Sequence, residues 1–373
     1  MTDILYFSRD TKVYIEIGAN IWEIPVLDGF SFSQSTNATE ISINEMENAT
    51  GVSRRGKQMF NDSYAPAEWS FSTYARPFVS TGTGAGAADD VLAHHAVEEV
   101  LWALMVGDAA YTENVAAPNV FTGVVPTLAD SDIDFSGSNK SSLGTCTLHF
   151  VLGACNGANE AFYSISGAVV DTATIDFDID GIATINWSGF GSIISEEATG
   201  PTATIYEGIP ATNNYIRNRL TSLAITGSGT GNFEATYDIT LTGGSIEVSN
   251  NLSFLTPETL CAVNQPIGHV TGTRSISGNF TCYLNADTVT SDHSADLWED
   301  LIESTTIVTN SFGLNFKIGG ASAAPRVEMN MAQCHLEIPT HSLDDVVSLD
   351  VTFSALGSTI DATDELVVTY VGV

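Results

Sequence analysis

Phe71-Ser72-Thr73-Tyr74 returns as Phe280-Thr281-Cys282-Tyr283, and each copy is followed by a segment of helical pattern with a Leu-Trp pair, Leu101-Trp102 and Leu297-Trp298. Working outward, Asp28-Gly29-Phe30-Ser31-Phe32-Ser33 matches Gly243-Gly244-Ser245-Ile246-Glu247-Val248, and Ser188-Gly189-Phe190-Gly191-Ser192 matches Ser354-Ala355-Leu356-Gly357-Ser358. The offsets are 215 (244−29), 209 (280−71), 196 (297−101) and 166 (357−191), falling steadily along the chain. Four pairings in one order describe two related units in tandem, about 1–200 and 206–373, with the longer loops in the first. Such a chain suits a repeating assembly better than a single pocket.

Within each unit the pattern is that of antiparallel strands. Phe233, Ala235, Tyr237, Ile239 and Leu241 alternate with Glu234, Thr236, Asp238 and Thr240, and Gly243-Gly244 reads as a turn leading to Ile246 and Val248. The same period of two runs through Val13, Ile15 and Ile17, closed by Gly18-Ala19-Asn20, and through Leu349, Val351 and Phe353. Two helices interrupt the strands. Val97, Val100, Leu101, Leu104 and Met105 share one helical face, with Asp89 or Asp90 as a start signal and Gly107 as a stop. A second helix, about 294–303, turns Leu297, Trp298, Leu301 and Ile302 inward after Ser291-Asp292. Glu196-Glu197-Ala198-Thr199-Gly200-Pro201 reads as the linker between units, and about 112–142 as a long surface excursion.

Composition bounds the function. A length of 373 residues, 43% apolar content, 32 glycines and only 15% charged residues describe a folded all-β chain of about two domains. With 12 Lys+Arg against 45 Asp+Glu, the formal charge of −33 repels phosphate backbones and excludes ordinary nucleic-acid affinity. No stretch reaches the roughly 18 apolar residues of a membrane helix, and the first ten residues lack a secretory pattern, so export is not expected. The five cysteines (146, 155, 261, 282, 334) show no close metal spacing and read as reduced, mostly buried thiols.

Each apparent motif has a plainer reading. Asp176-Phe177-Asp178-Ile179-Asp180-Gly181 opens like a calcium loop, but Trp187 stands where the bidentate Glu belongs, so the aspartates read as the solvated side of a hairpin. Gly82-Thr83-Gly84-Ala85-Gly86-Ala87 precedes a helix, yet Asp89-Asp90 would oppose an anion and no P-loop Lys follows. His94-His95 with Glu98-Glu99 lacks two histidines on one helical face and reads as surface polarity. No nucleophile signature is present in the sequence, and neither an enzyme nor a cofactor is expected. Arg54-Arg55-Gly56-Lys57 gathers three of the twelve basic residues, and on an acidic molecule its natural complement is another copy of the chain.

The runs Trp22-Glu23-Ile24-Pro25-Val26-Leu27-Asp28-Gly29-Phe30-Ser31-Phe32-Ser33, Asn251-Leu252-Ser253-Phe254-Leu255-Thr256-Pro257, Pro266-Ile267-Gly268-His269-Val270-Thr271-Gly272-Thr273-Arg274 and Gly278-Asn279-Phe280-Thr281-Cys282-Tyr283-Leu284 resemble tail tube proteins of tailed bacteriophages. The resemblance implies β-sandwich units, each with a flanking helix and a long hairpin, the hairpins joining into a barrel around a channel. It implies stacked rings that conduct the genome, in a virion tail assembled in the host cytoplasm. The implied partners are further copies of the chain, a tape measure protein, a tail terminator and baseplate proteins, with DNA passing without specific binding and no membrane. A contractile sheath is left open. Many members have one unit in rings of six, so two units per chain imply three chains in a pseudo-sixfold ring, with a hexamer as the alternative. The expected channel-facing hairpins are 28–45 and 244 to about 274, presenting Ser31, Ser33, Ser42, Glu247 and Ser249 to the lumen, while Arg54, Arg55 and Lys57 meet the adjacent ring. The reading from a different class is a baseplate or cell-surface β-sandwich module that recognises a host glycan.

Overall fold

A computed structural model of the chain describes residues 5–41, 49–52, 56–79, 94–107, 131–134 (backbone), 143–153, 160–205, 208–210, 213–227, 233–257, 259–260, 263–286, 292–303, 312–320, 325–343, 345–360, 362 and 364–373. Along the chain, β1 (Lys12–Ile17), β2 (Asn20–Ile24), β3 (Ser31–Ser33), β4 (Thr36–Glu40), β5 (Met59–Tyr64), β6 (Ala67–Tyr74), β7 (Pro77–Val79) and β8 (His94–Ala96) lead into α1 (Glu99–Val106). Next come β9 (Ser131–Asp134), β10 (Cys146–Leu152), β11 (Ala161–Asp178), β12 (Thr184–Gly191) and β13 (Ile193–Glu197). Then β14 (Ser222–Thr226), β15 (Thr236–Asp238), β16 (Leu241–Ser249), β17 (Ser253–Leu255), β18 (Gly268–Val270) and β19 (Ser275–Tyr283) lead into α2 (Ser294–Glu303). The order closes with β20 (Phe312–Ile318), β21 (Arg326–Leu336), β22 (Thr340–Leu343), β23 (Val347–Ala355) and β24 (Val367–Val371).

The ladders between these strands are antiparallel and form two layers. The front layer runs β3-β6-β12-β11-β16-β19-β23-β22. Behind it lie β2-β1-β10-β11-β13 and β15-β14-β20-β21-β24-β9. β11 belongs to both layers: its first residues pair with β10 and its last with β12 and β16. Gly167 sits at the crossing with a left-handed φ of 59°, a conformation glycine adopts without penalty, and a bulge follows between Val170 and Thr172. β21 does likewise, pairing with β20 and β24 and then, at residues 334–336, with β23.

Alternation explains why the layers close on each other. Front-layer Trp69, Phe71, Trp187, Ile175, Ile246, Phe280, Val351 and Phe353 are buried on one side of the sheet. Phe32 stacks on back-layer Phe150 at 4.5 Å, and Phe316 of the back layer lies 5.5 Å from Phe177 and 5.7 Å from Phe353. Each fully buried aromatic contributes about 1.5–3 kcal/mol. α1 has every residue buried, with Trp102 edge-on to Trp187 at 5.0 Å, whereas α2 buries Ser294, Leu297 and Leu301.

Several sequence expectations need correction. Gly243-Gly244 is not a turn: both lie inside β16, beside a bulge between Leu241 and Gly243. A Cβ at Gly244 would meet the Phe177 ring and the Asn279 carbonyl, so close strand packing, not chain reversal, selects glycine there. α1 was expected to bury one face and buries all of them; Gly107 does end it, in the left-handed conformation at φ 110°. Asp89 and Asp90 lie outside the described residues. In α2, Ile302 is 45% exposed and Trp298 only partly buried. Glu196 and Glu197 belong to β13, paired with Tyr163 and Phe162, so the chain leaves the sheet only after them. Within the 112–142 excursion, β9 pairs with β24. We expect Phe316→Ala to cost roughly 3–5 kcal/mol in urea unfolding of the unassembled chain, and Ser277→Ala on the opposite sheet face to stay within about 0.5 kcal/mol.

Candidate functional site: a polar sheet face and two exposed ribbons

The outward side of the front layer is built from small polar residues in rows that cross the strands. One row reads Ser72, Asn186, Thr174, Glu247, Ser277, Ser354, and the next Tyr74, Thr184, Asp176, Ser245, Asn279, Thr352. Strand alternation puts them there, because each lies between residues that face the core. Side chains bond along the rows and between them: Ser72 Oγ donates to Asn186 Oδ1 (2.6 Å) within the first row, Asn186 Nδ2 donates to Asp176 Oδ2 of the second (2.9 Å), and the Ser31 and Ser70 hydroxyls lie 2.8 Å apart. The eight front strands contain no Lys or Arg, while Glu68, Asp176, Asp178, Glu247 and Asp350 all lie on this face. Their charges stand on the solvated side, where like-charge repulsion is screened beyond about 8 Å at physiological salt.

Ser31 and Ser33, both exposed, are at the β3 edge of this face, and Glu247 is in its middle. Ser249 shares their parity but is buried, beside Asn251. Ser42 lies outside the described residues. Sequence reading placed Asp350 on the outward side of its strand but did not single out Glu68, Asn186 or Thr174. Their period-two spacing was legible, but which strands stand side by side is a tertiary fact. Asp176 and Asp178, the opening of the calcium-like run, are on the polar face, and Asp180 follows in the turn. No cluster suited to a metal occurs among the described residues.

Beyond the layer, two ribbons continue its strands. β3 and β6 extend into the β4–β5 ribbon, and β16 and β19 into the β17–β18 ribbon. The first hairpin therefore returns through 59–74, not within 28–45 as expected. β4 is exposed at every residue, so no alternation marks it as a strand. The ribbons touch: Ser63 bridges Asn264 in parallel fashion, with Tyr64 N–H to Asn264 O at 2.9 Å and Asn264 N–H to Asp62 O at 3.1 Å. They also expose Met59, Phe60, Leu255, Leu260 and Ile267, an apolar set of the kind that marks a protein–protein contact. Lys57, at the foot of β5, pairs with Glu40 at 2.6 Å and is 61% exposed; Arg54 and Arg55 lie outside the described residues.

The pair His94-His95 and Glu98-Glu99, expected at the surface, is instead buried or nearly so. Glu98 accepts from the Arg76 N–H, His95 Nδ1 lies 3.0 Å from Glu99, and Gly372 N–H donates to His94 Nδ1. Trp102 Nε1 donates to the Tyr370 hydroxyl at 2.6 Å. These contacts join the last strand to α1, which explains why the polar residues before a wholly buried helix are buried with it. Burial pushes the Glu98 carboxyl up to about 7 and raises Tyr370 well above its ordinary value. Burial also pushes the thiols of Cys146, Cys282 and Cys334, all free, up to about 12, which leaves them unreactive. Cys155 and Cys261 lie outside the described residues.

A layered antiparallel sandwich with two helices, a broad polar face and exposed apolar ribbons offers surfaces suited to contacts between protein chains. The family model described as phage tail tube protein matches residues 65–355, and the chain belongs to that family of structural virion components, which are not enzymes. It is 30% identical over 375 aligned residues to the tail tube protein pb6 of Escherichia phage T5, covering 97% of this chain and 75% of that protein. Its place is the virion tail.

The buried carboxyl yields a pH prediction. Glu98 is raised from 4.5 to about 7, so the folded chain binds the extra proton between those values. Its contribution is complete below about 4.5 and is lost as pH rises through about 7. Glu98→Gln should flatten the fall in thermal midpoint across that window and leave the variant more stable than the parent chain above it. A parallel pH profile for the two would show that Glu98 is not the group responsible.

Proposed function

We propose that the chain builds stacked rings of the tail tube, with the polar face of its front layer as the wall of the genome conduit. The observation that carries this reading is the eight-strand face without a single Lys or Arg. A polyanion passing such a wall meets hydroxyls, amides and carboxylates but no cation to hold it.

The two halves are read as tandem units. The strand order β2-β1-β10-β11-β13 with β3-β6-β12-β11 corresponds to β15-β14-β20-β21-β24 with β16-β19-β23-β22, and a helix occupies the same place in each sequence of elements. Ladder positions refine the sequence offsets. Ser31 opposite Ser70 corresponds to Ser245 opposite Asn279, an offset of 214 (245−31), and Trp187 opposite Phe71 corresponds to Val351 opposite Phe280, an offset of 164 (351−187). The values still fall in order around 209 (280−71).

Four front strands per unit favour three chains, or twenty-four strands, in a closed ring. Barrels of about 16–18 strands already enclose an aqueous channel. In this reading Arg54, Arg55 and Lys57, which precede β5 in the sequence, meet acidic groups of the adjacent ring. The exposed apolar ribbon residues supply most of the contact energy, since each exposed ion pair is worth about 0–1 kcal/mol.

Electron microscopy and native mass measurement of concentrated protein should give open rings or tubes with three chains per ring. Six chains per ring would mean that one unit alone lines the channel, and a reconstruction with the polar face outermost would reject the wall. Replacing Arg54, Arg55 and Lys57 by Glu should shorten tubes across a salt series. Unchanged tube length at every salt concentration would reduce the cluster to a solvated loop.

A further inference from the structure

The segment 143–145 returns the chain to β10 after the 112–142 excursion, and Leu143 is only 5% exposed, so its backbone N–H needs an acceptor away from water. A ring nitrogen supplies it: Nε2 of His269, on β18 of the second ribbon, accepts the Leu143 N–H at 2.9 Å. That ribbon gains from an outside hold. β17 and β18 pair over three positions, Ser253↔Val270, Phe254↔His269 and Leu255↔Gly268, and a two-stranded hairpin by itself is marginal in water. The His269 ring lies against Phe254, with centroids 5.8 Å apart, and Phe254 lies against Phe190 of β12 at 6.1 Å. The first ribbon differs: by the offset of 209, its equivalent of His269 is Phe60 (269−209), which is 62% exposed.

We infer that His269 is a pH-sensitive clasp: neutral, it ties the second ribbon to the returning segment 143–145, and protonated, it lets that segment go. The chemistry is that of one lone pair. Nε2 accepts from Leu143 through it, so the neutral ring has its proton on Nδ1; a second proton occupies the lone pair and sets two N–H donors against each other. The surroundings give the resulting imidazolium no counter-charge. β17, the segment 143–145 and β12 contain no charged or titratable side chain, and Cys146, which follows that segment, stays neutral because burial pushes its thiol up to about 12. Glu68 and Asp171 line a depression beside Phe190, and Asp171 accepts the Leu252 N–H. Neither carboxylate draws the histidine upward, since burial alone moves it, and moves it below 6.5. The clasp is therefore complete above about 6.5 and is lost as pH falls through the folded value, the opposite sense to Glu98. What the clasp gates rests on the ring reading above: Leu255 and Ile267 of this ribbon are exposed and contribute to contacts between copies there, so its release slows assembly in acid.

Amide exchange in the unassembled chain tests the clasp. Measured against the rate of an unstructured peptide at the same pH, the Leu143 amide should be protected in neutral buffer and lose about tenfold in protection for each pH unit below the folded value of His269. Amides of β16, in the middle of the front layer, should stay protected throughout and show that the fold is intact. His269→Gln presents a carboxamide oxygen that does not titrate in this range and should keep Leu143 protected at every pH, whereas His269→Leu should leave it open at every pH. Leu143 protection that is unchanged in acid, or that falls in the Gln variant as it does in the parent, overturns the clasp. Where neither variant folds, the His269 ring titration in the parent must share its midpoint with the loss of Leu143 protection, and separate midpoints overturn it equally. Tube growth of the parent and of His269→Gln over the same pH range tests the gate. Both lose carboxylate repulsion in acid, so only the parent should slow as His269 protonates. Parallel growth curves overturn the gate and leave the clasp standing, and a parent chain that forms no tubes at any pH overturns the ring reading and the gate together while the exchange result stands.

Discussion

Seven consecutive residue pairs between β11 and β16, from Thr172↔Ser249 to Asp178↔Gly243, hold the two halves of the chain in one sheet. Other features depend on this ladder. It aligns the rows of the polar face, so that Thr174 and Glu247 continue a line begun at Ser72. It also sets Phe177 of the first half against Phe316 of the second, making one core from two sets of strands. A one-residue slip would turn Glu247 inward and Ile246 outward, which exposes an apolar side chain and buries a charge. The pleat therefore enforces the chemistry of both faces at once.

Much of this was legible in the sequence because antiparallel sheets with one wet face leave a period-two trace. Val13, Ile15 and Ile17, or Leu349, Val351 and Phe353, are buried as their spacing implies; Ile17 alone among them is only partly so. The trace disappears where its cause does. β4 has solvent on both faces, so Thr36-Asn37-Ala38-Thr39-Glu40 carries no alternation and the first hairpin was closed too early. Gly243-Gly244 failed for a different reason: a glycine that serves a turn and a glycine that serves close packing are the same letter, and only the neighbouring Phe177 ring separates them.

The candidate wall was legible residue by residue but not as a surface. Ser31, Ser33 and Glu247 stood out through local alternation, whereas the row from Ser72 to Ser354 joins residues 282 apart in sequence (354−72). The burial of His94, His95, Glu98 and Glu99 was likewise hidden. Their burial depends on the arrival of Tyr370 and Gly372 from the far end of the chain, and four polar residues beside a helix give no local sign of that.

Charge and edges impose opposite demands on such a molecule. A wall that lets a polyanion pass benefits from carboxylates and the absence of cations, but the same carboxylates on the sheet edges would oppose the pairing of one copy with the next. The chain separates the two demands along the strand order. Acids occupy interior positions of the front layer, at Asp176, Glu247 and Asp350, while the outward positions of its end strands carry the hydroxyls of Ser31, Ser33, Thr340 and Ser342. Open edges are an aggregation hazard for a β protein. Here one edge strand is only three residues long and the other four, which leaves little unpaired backbone for adventitious pairing. Beneath those edges Phe32 stacks on Phe150 and His341 lies edge-on to Trp298, contacts within the same chain that hold both short strands in place.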